Sequence, residues 1–272
     1  MSDRRLRPVV LTIAGSDSGG GAGVQADLRA FWALGCFGTA AITCVTAQNL
    51  DGVTRIDATP VAGVAEQIKQ VGKGFRVRGV KTGMLYSREI VEAVVRAYDH
   101  HLEGVPLVVD PVMVATSGAR LLKPDAIEAY GELFRRAAVV TPNLDELEVL
   151  VGERPQRVAD LETAGRRLLD RFGAPVLAKG GHLEGPAVDV LVTRAGSLRW
   201  ESPRVSGVRA HGSGCSFASA VAAGLAHGLG LRDAVAQGKA WMDRAFAAPV
   251  TVETNQGEVA LLGDGHGDPL HG

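Results

Sequence analysis

The chain has 272 residues, 46% apolar and 22% charged, enough apolar material for a real core and enough charge for a soluble surface; the length suits one large α/β domain or two small ones, and one domain over residues 1–272 is the expectation. Lys plus Arg total 29 against 30 Asp plus Glu, a net charge of -1, so no long-range field draws the protein to nucleic acid or an acidic membrane, and any phosphate site must be local. Cys36, Cys44 and Cys215 are odd in number, widely spaced and free of any CxxC pair, which argues against a disulfide framework and suits a reducing, cytoplasmic compartment.

The start, MSDRRLRP, leads into a short apolar run, Val9 to Ala14, and reads as a mature N-terminus rather than a secretory leader. No stretch reaches the roughly 20 apolar residues that cross a bilayer. Short β-branched or apolar runs then recur along the chain: VVLTIA, TAAITCVTA, GVKTG, PLVVD, AAVVT, PVLAKG and VDVLVT. Helical periodicity falls between them, over Val24–Leu34, Val61–Val71, Ser87–Asp99, Pro124–Phe134, Leu144–Val151 and Val158–Phe172. Alternating strand and helix implies parallel crossovers, and strands as continuously apolar as VVLTIA and PLVVD are covered on both faces. The predicted fold is a three-layer αβα sandwich around a mainly parallel sheet. After VDVLVT, GSLRWESPRV reads as a hairpin arm, and helices over Gly214–Gly228 and Leu231–Ala248 are expected to close the fold. The Gly-rich end, residues 263–272, is expected to fray, so His266 and His271 are read as tail residues rather than metal ligands.

Ligands of open parallel sheets bind outside the carboxyl ends of the strands. The residues that follow the runs are Gly15-Ser16-Asp17, Gln48-Asn49, Gly83-Met84, Asp110-Pro111, Thr141-Pro142-Asn143 and Lys179-Gly180-Gly181, a polar and Gly-rich set expected to share one crevice. AGSDSGGGAGVQADL permits close backbone approach to a ligand. Gly15 and Gly20 have Walker A spacing, but Gly21-Ala22 stand where Lys-Ser/Thr should follow, and there is no G-x-G-x-x-G. Asp17 either makes an Asx turn or borders a site, and Asp27, about one helical turn beyond Gly23, is a candidate to grip substrate hydroxyl or amino groups.

Asn143 and Glu146 have capping-box spacing, compatible at once with a helix cap and with a carboxylate that holds magnesium. Asp110 is a second acid at a strand end, in a turn with Pro111 or on a metal. Lys179 is either a solvated lysine or a point charge for nucleotide phosphates. In AHGSGCSFASAVAAGLAHG a small-residue loop opens a long helix, so the amides of Gly212, Ser213, Gly214 and Cys215 are expected to form an anion hole. Cys215, in the first turn, is either a packed small residue or a thiol whose pKa the helix dipole lowers, able to take a proton from a substrate hydroxyl.

These segments, with TAQN, VKTGMLYS, VVDPVMVATSG, VVTPNLDE, AKGGHLEG and HGSGC, resemble the ribokinase-like kinases, and within them the hydroxymethylpyrimidine/phosphomethylpyrimidine kinases of thiamine biosynthesis; the matching stretches run from about Val9 to Gly228. The resemblance implies an enzyme that uses ATP and Mg²⁺ to phosphorylate the hydroxymethyl group of an aminopyrimidine and then the monophosphate, with a dimer as the usual assembly. It implies Asp27, Gln48 and Met84 as pyrimidine contacts and Gly15 and Val112 as pocket lining. It places Asn143, Lys179, Thr193 and His211 at the nucleotide, Asp110 and Glu146 at the metal, and Gly212, Ser213, Gly214 and Cys215 at the transferred phosphate, with Cys215 in the base position. Ala210, Ser213 and Thr116 depart from the common pattern of the family, which bears on nucleotide affinity and the second phosphorylation. Two other readings stand beside this one: a pyridoxal or pyridoxine kinase on the same scaffold, and a pyrimidine-binding sensor without catalysis.

Overall fold

In a computed structural model the described residues are 6–113 and 126–265; Thr116, His266 and His271 lie outside them. The chain runs β1 (Val9–Asp17), α1 (Gly23–Ala33), β2 (Phe37–Gln48), β3 (Val53–Ala58), α2 (Val61–Gly74), β4 (Val77–Thr82), α3 (Arg88–His101), β5 (Leu107–Val109), α4 (Ala126–Arg136), β6 (Val139–Val140), α5 (Leu144–Val151), α6 (Val158–Phe172), β7 (Val176–Gly180), β8 (Ala187–Thr193), β9 (Gly196–Ser202), β10 (Val208–Arg209), α7 (Ser213–Ala226), α8 (Leu231–Ala247), β11 (Val250–Thr254) and β12 (Gly257–Leu261). Nine strands form one sheet in the order β3-β2-β1-β4-β5-β6-β7-β8-β9. The six from β2 to β7 are parallel, and β3, β8 and β9 add antiparallel edges.

Alternation along the strands builds two cores, because successive side chains point to opposite faces. Leu11 and Ile13 of β1, Val109 of β5, Val140 of β6 and Val190 and Val192 of β8 join the apolar faces of α2 to α6. Val10, Val108, Val139, Leu177 and Leu191, their neighbours in sequence, join α1, α7 and α8 on the other face. The three-layer αβα expectation therefore holds. Helix boundaries follow from local chemistry: α5 opens on a capping box in which Asn143 accepts from the Glu146 amide and Glu146 from the Asn143 amide, and it stops at Gly152 with φ 81°.

Four strands were not legible. β3 is a charged edge strand, Val-Thr-Arg-Ile-Asp-Ala, whose exposed residues resemble a loop. Helices do not close the fold, because β11 and β12 form an antiparallel hairpin after α8, and β10 joins that hairpin as a separate three-stranded sheet. The start of the expected tail is also tied down: the Gly263 amide donates to the Ala245 carbonyl at 3.0 Å and Trp241 Nε1 to the Asp264 carbonyl at 2.8 Å.

Between β1 and β4 the strand order reverses direction, since β1 leads to β2 on one side and the later strands extend on the other. This is the position at which open parallel sheets form a crevice at their carboxyl edge.

Candidate active site

A cavity of about 500 Å³ lies over that crevice, and its wall includes Gly15, Gln48, Met84 and Val112 at one end and Asp110, Asn143, Glu146, Lys179 and the Gly212–Cys215 loop at the other. Six strand ends supply these side chains, so the sheet itself fixes their spacing.

At the first end, Asp17 folds the Gly-rich loop around its own carboxylate: Oδ1 accepts from the Gly19 amide and Oδ2 from the Ala22 amide, both at 2.8 Å. The Asx turn is thus present. Burial works against the Asp17 charge, but hydrogen bonds from His211, Ala22 and Gly19 hold its carboxyl below the ordinary aspartate range. Ser18 Oγ ties the loop to the end of β2, donating to the Gln48 carbonyl at 2.7 Å. Met84 packs with Cys44, Val53, Ile56, Tyr86 and Val112 in a small apolar cluster, to which the edge strand β3 contributes two residues.

Backbone approaches backbone where this loop meets the head of α7. Gly212, the N-cap, has φ 76°, and a Cβ there would stand 1.9 Å from the Gly21 carbonyl oxygen. Only glycine fits. A Cβ on Gly21 would meet the His211 ring at 2.2 Å, so the two loops interlock.

The anion hole is narrower than expected. The Ser213 amide donates to the Ala210 carbonyl at 3.1 Å and closes the turn. Among the described residues the amides of Gly214 and Cys215 have no partner, as befits a first helical turn. Lys179 Nζ stands above them, 3.2 Å from where a Gly214 Cβ would lie. The same ammonium donates to Asp110 Oδ1 at 2.8 Å, and Thr141 Oγ1 reaches that oxygen at 2.9 Å. Lys179 is only 8% exposed, so it is no solvated surface lysine. Burial disfavours its charge, yet Asp110 and Glu146 hold its pKa above the ordinary lysine value. Burial pushes the Glu146 carboxyl up to about 8, with Lys179 opposing the shift and Asp110 adding to it.

Cys215 corrects the sequence reading. Burial pushes its thiol up to about 12; Lys81 and Lys179 pull it down, Asp110 and Asp27 push it up. Desolvation together with the two acids thus sets the thiol above the ordinary cysteine range, where the helix-terminus reading expected it below.

Two expected contacts lie elsewhere. Asp27 is fully buried below the loop, where Lys81 Nζ donates to both of its oxygens at 2.8 and 3.0 Å and Thr12 and Ser219 hydroxyls complete the set. Helix α1 turns that side chain into the sheet, so Asp27 grips Lys81 rather than a ligand. Thr193 ends an antiparallel strand, beside the amino end of β7, at the edge of the sheet opposite the cavity. There its hydroxyl donates to the Gly196 carbonyl and closes the β8–β9 turn. His211 lies at the Gln48 end of the cavity, 3.1 Å from Asp17 Oδ2 and 3.2 Å from Gln48 Nε2.

Three buried charged residues of the wall escaped the sequence reading. Lys81 is one; Asp189 and Lys239 form a buried ion pair at 2.6 Å, with Asp189 Oδ1 also accepting from the Gly180 amide. A charge inside an otherwise apolar strand, as in GVKTG and VDVLVT, was the available signal.

Comparisons with known proteins identify the family. Residues 17–260 match the family described as phosphomethylpyrimidine kinase. A hydroxymethylpyrimidine/phosphomethylpyrimidine kinase of Rhizobium meliloti is 41% identical over 93% of this chain and 95% of its own length. A thiamine biosynthesis bifunctional protein of Geobacter sulfurreducens is 44% identical over 97% of this chain, which spans 52% of that longer protein. Among solved structures, a phosphomethylpyrimidine kinase of Clostridium difficile superposes with a TM-score of 0.76 at 39% identity, covering 86% of this chain and 96% of its own. A Bacillus subtilis pyridoxal kinase in an ADP complex gives a TM-score of 0.85 at 31% identity over 95% and 98%. With glycine loops, acids and a buried lysine gathered at one crevice, and a family model that spans nearly all of it, the chain belongs to the phosphomethylpyrimidine kinase family.

Proposed function

We propose that the protein transfers the γ-phosphate of ATP to the hydroxymethyl group of 4-amino-5-hydroxymethyl-2-methylpyrimidine, and then to the monophosphate, giving the pyrophosphate used in thiamine biosynthesis. One observation carries the reading: Lys179 and the partnerless amides of Gly214 and Cys215 converge at one end of a cavity whose other end offers Gln48, Met84 and Val112. Phosphoryl transfer is catalysed mainly by positioning and by neutralising oxygen charge, which this arrangement supplies. The relatives' names, and a pyridoxal kinase of Staphylococcus aureus in complex with AMP-PCP and pyridoxal at a TM-score of 0.85, support ATP as donor.

Gln48 offers both a donor and an acceptor to an aminopyrimidine edge, with Gly15, Met84 and Val112 packing the ring. Lys179 and the two amides hold the transferred phosphate, Asn143 borders the nucleotide, and Asp189 and Lys239 line the cavity wall there. Cys215 lies at the same helix head and takes the hydroxyl proton in its thiolate form. Magnesium fits the pair Asp110 and Glu146 on the cavity wall, since it keeps its waters and binds through one or two carboxylates. Held by Asp110 and Glu146, the ion would supply positive charge that offsets the charge on the phosphate oxygens.

The chain reads as one kinase domain, acting in the cytoplasm as a homodimer. Three free cysteines are compatible with that compartment, and no described helix is long and apolar enough to cross a membrane. The exposed Phe37–Phe75 stack is an apolar surface of the kind dimers cover.

A second reading, pyridoxal kinase, is favoured by the higher TM-scores to pyridoxal kinases, which stand against the higher identity to pyrimidine kinases. A coupled ADP-release assay with hydroxymethylpyrimidine, its monophosphate and pyridoxine decides. The pyrimidine reading requires the highest kcat/KM on the first two; preference for pyridoxine establishes the second reading, and binding without turnover makes the protein a sensor.

A further inference from the structure

His211 and Gln48 make a hydrogen-bond problem with one solution. His211 Nε2 is 3.1 Å from Asp17 Oδ2, a carboxylate whose two oxygens already accept amides of the Gly-rich loop. A lone pair facing that carboxylate is repulsive, so Nε2 carries the proton. The same Nε2 is 3.2 Å from the Gln48 amide, which must then offer it an acceptor. On the other side of Gln48, Thr46 Oγ1 lies 3.0 Å from the Ser16 carbonyl and 3.1 Å from the Gln48 amide. The Ser16 oxygen has only lone pairs, so the single hydroxyl proton of Thr46 goes there, and Gln48 must offer Thr46 a donor.

Both constraints give the same amide orientation, Oε1 toward His211 and Nε2 toward Thr46. It is one half-turn from the placement in the structure, where Gln48 Nε2 faces His211 and Gln48 Oε1 accepts from Thr46 Oγ1, and nearly isosteric with it. The order is fixed at both ends: Asp17 by its loop amides, Ser16 by the strand pairing of β1 with β2.

We infer that His211 is a positioning residue for the acceptor substrate: its Nε2–H, anchored on Asp17, sets the order in which the Gln48 amide presents donor and acceptor to the ring. The inference rests on Gln48 as the ring contact. With one N–H engaged by Thr46 and one Oε1 lone pair by His211, Gln48 retains one donor and one acceptor in a defined order. That order matches a heteroaromatic edge with a ring nitrogen beside an exocyclic amino group. A ring nitrogen without the neighbouring amino group uses only half of it. The selectivity between aminopyrimidine and pyridine alcohols therefore depends on His211. Since His211 also precedes Gly212 and packs on Gly21, the residue that orders the ring contact belongs to the loop that leads into the phosphate amides.

His211→Phe retains a planar ring against Gly21 and removes the donor. The expected result is a KM for hydroxymethylpyrimidine raised roughly tenfold, the scale of one hydrogen bond, with kcat and the KM for ATP within about twofold and the KM for pyridoxine little changed. His211→Gln, which restores an N–H donor, should recover part of the loss. A raised KM for ATP with an unaltered pyrimidine KM overturns the inference and returns His211 to the nucleotide. Gln48→Met separates the two readings: if it leaves the pyrimidine KM unchanged, the Gln48 contact is wrong, whereas a raised KM there with none in His211→Phe sinks only the His211 role. Should His211→Phe not fold, long-range ¹H–¹⁵N spectra of the wild-type imidazole decide, because protonation at Nδ1 with a bare Nε2 contradicts the argument.

Discussion

The thiol of Cys215 is the sharpest point at which burial and helix-dipole chemistry give opposite expectations. Burial pushes it up to about 12, five units above neutral pH. At pH 7 the thiolate is then roughly 1 part in 10⁵, a cost of about 7 kcal/mol at 1.36 kcal/mol per unit. The perturbation is pH itself, and the assay is iodoacetamide alkylation of the free protein, read by peptide mass mapping because Cys36 and Cys44 are also raised, to about 11. Only thiolate reacts, so the Cys215 rate should climb tenfold per pH unit from 7 to 10 without levelling. If Cys215 is the base, wild-type kcat follows the same slope until another step limits it. Cys215→Ala should then lose both the slope and about 10²-fold in kcat at the pH where the wild type is fastest. An alkylation rate that plateaus below pH 9 refutes the burial argument and restores the dipole; an unchanged kcat in Cys215→Ala refutes the base role.

Other expectations follow from single contacts. Gly212→Ala places a Cβ 1.9 Å from the Gly21 carbonyl at φ 76°, and should lower Tm by about 4 °C or more while abolishing turnover; near-native melting and rate would contradict the interlocked loops. Glu146 has a folded pKa of about 8 against about 4.3 unfolded, so the fold holds its proton more tightly and the free protein loses stability as pH rises through that window. Glu146→Gln should flatten the Tm-versus-pH curve between 5 and 8 and raise the Mg²⁺ requirement, and an identical curve and titration would count against both roles. Lys239→Met strands Asp189 and should cost about 3–5 kcal/mol in urea unfolding, most of it recovered by adding Asp189→Leu. Thr193→Ala, at the far edge of the sheet, should leave the KM for ATP within about twofold.

The parts of the fold that the sequence carried were those whose pattern is complete within one segment. The α5 box, Asn143 to Glu146, and the α6 run from Val158 to Phe172 each hold their own start signal and apolar stripe, and both helices match their expected limits. Edge and terminal strands lack that closure. In β3, Arg55 and Asp57 pair with each other in solvent, so the segment has a strand's backbone with a loop's composition. The β11–β12 hairpin did carry a period-two signal in Val250, Val252 and Thr254, but it follows a 17-residue helix and its partner β10 is two residues long.

Within the site, the split has the same cause at the level of atoms. Lys179, Glu146 and the head of α7 were legible because each sits where a strand or loop hands over to a helix, and the carboxyl edge of a parallel sheet gathers such junctions in one place. What the junction does to charge depends on partners distant in sequence. The Cys215 thiol is raised first by burial and then adjusted by Lys81, Asp110 and Asp27, and whether Asp27 faces a ligand or the core is decided by Lys81 on β4, 54 residues away. Desolvation and pairing are sums over neighbours, so they remain undefined until the sheet order is known. The same logic makes Asp27–Lys81 a test of that distinction: replacing the buried pair by Asp27→Leu with Lys81→Met should keep the fold, whereas Lys81→Met alone leaves an uncompensated carboxylate and should cost about 3–5 kcal/mol. If the single change were as stable as the double, Asp27 would be reaching solvent or ligand after all, and its placement beneath the loop would be wrong.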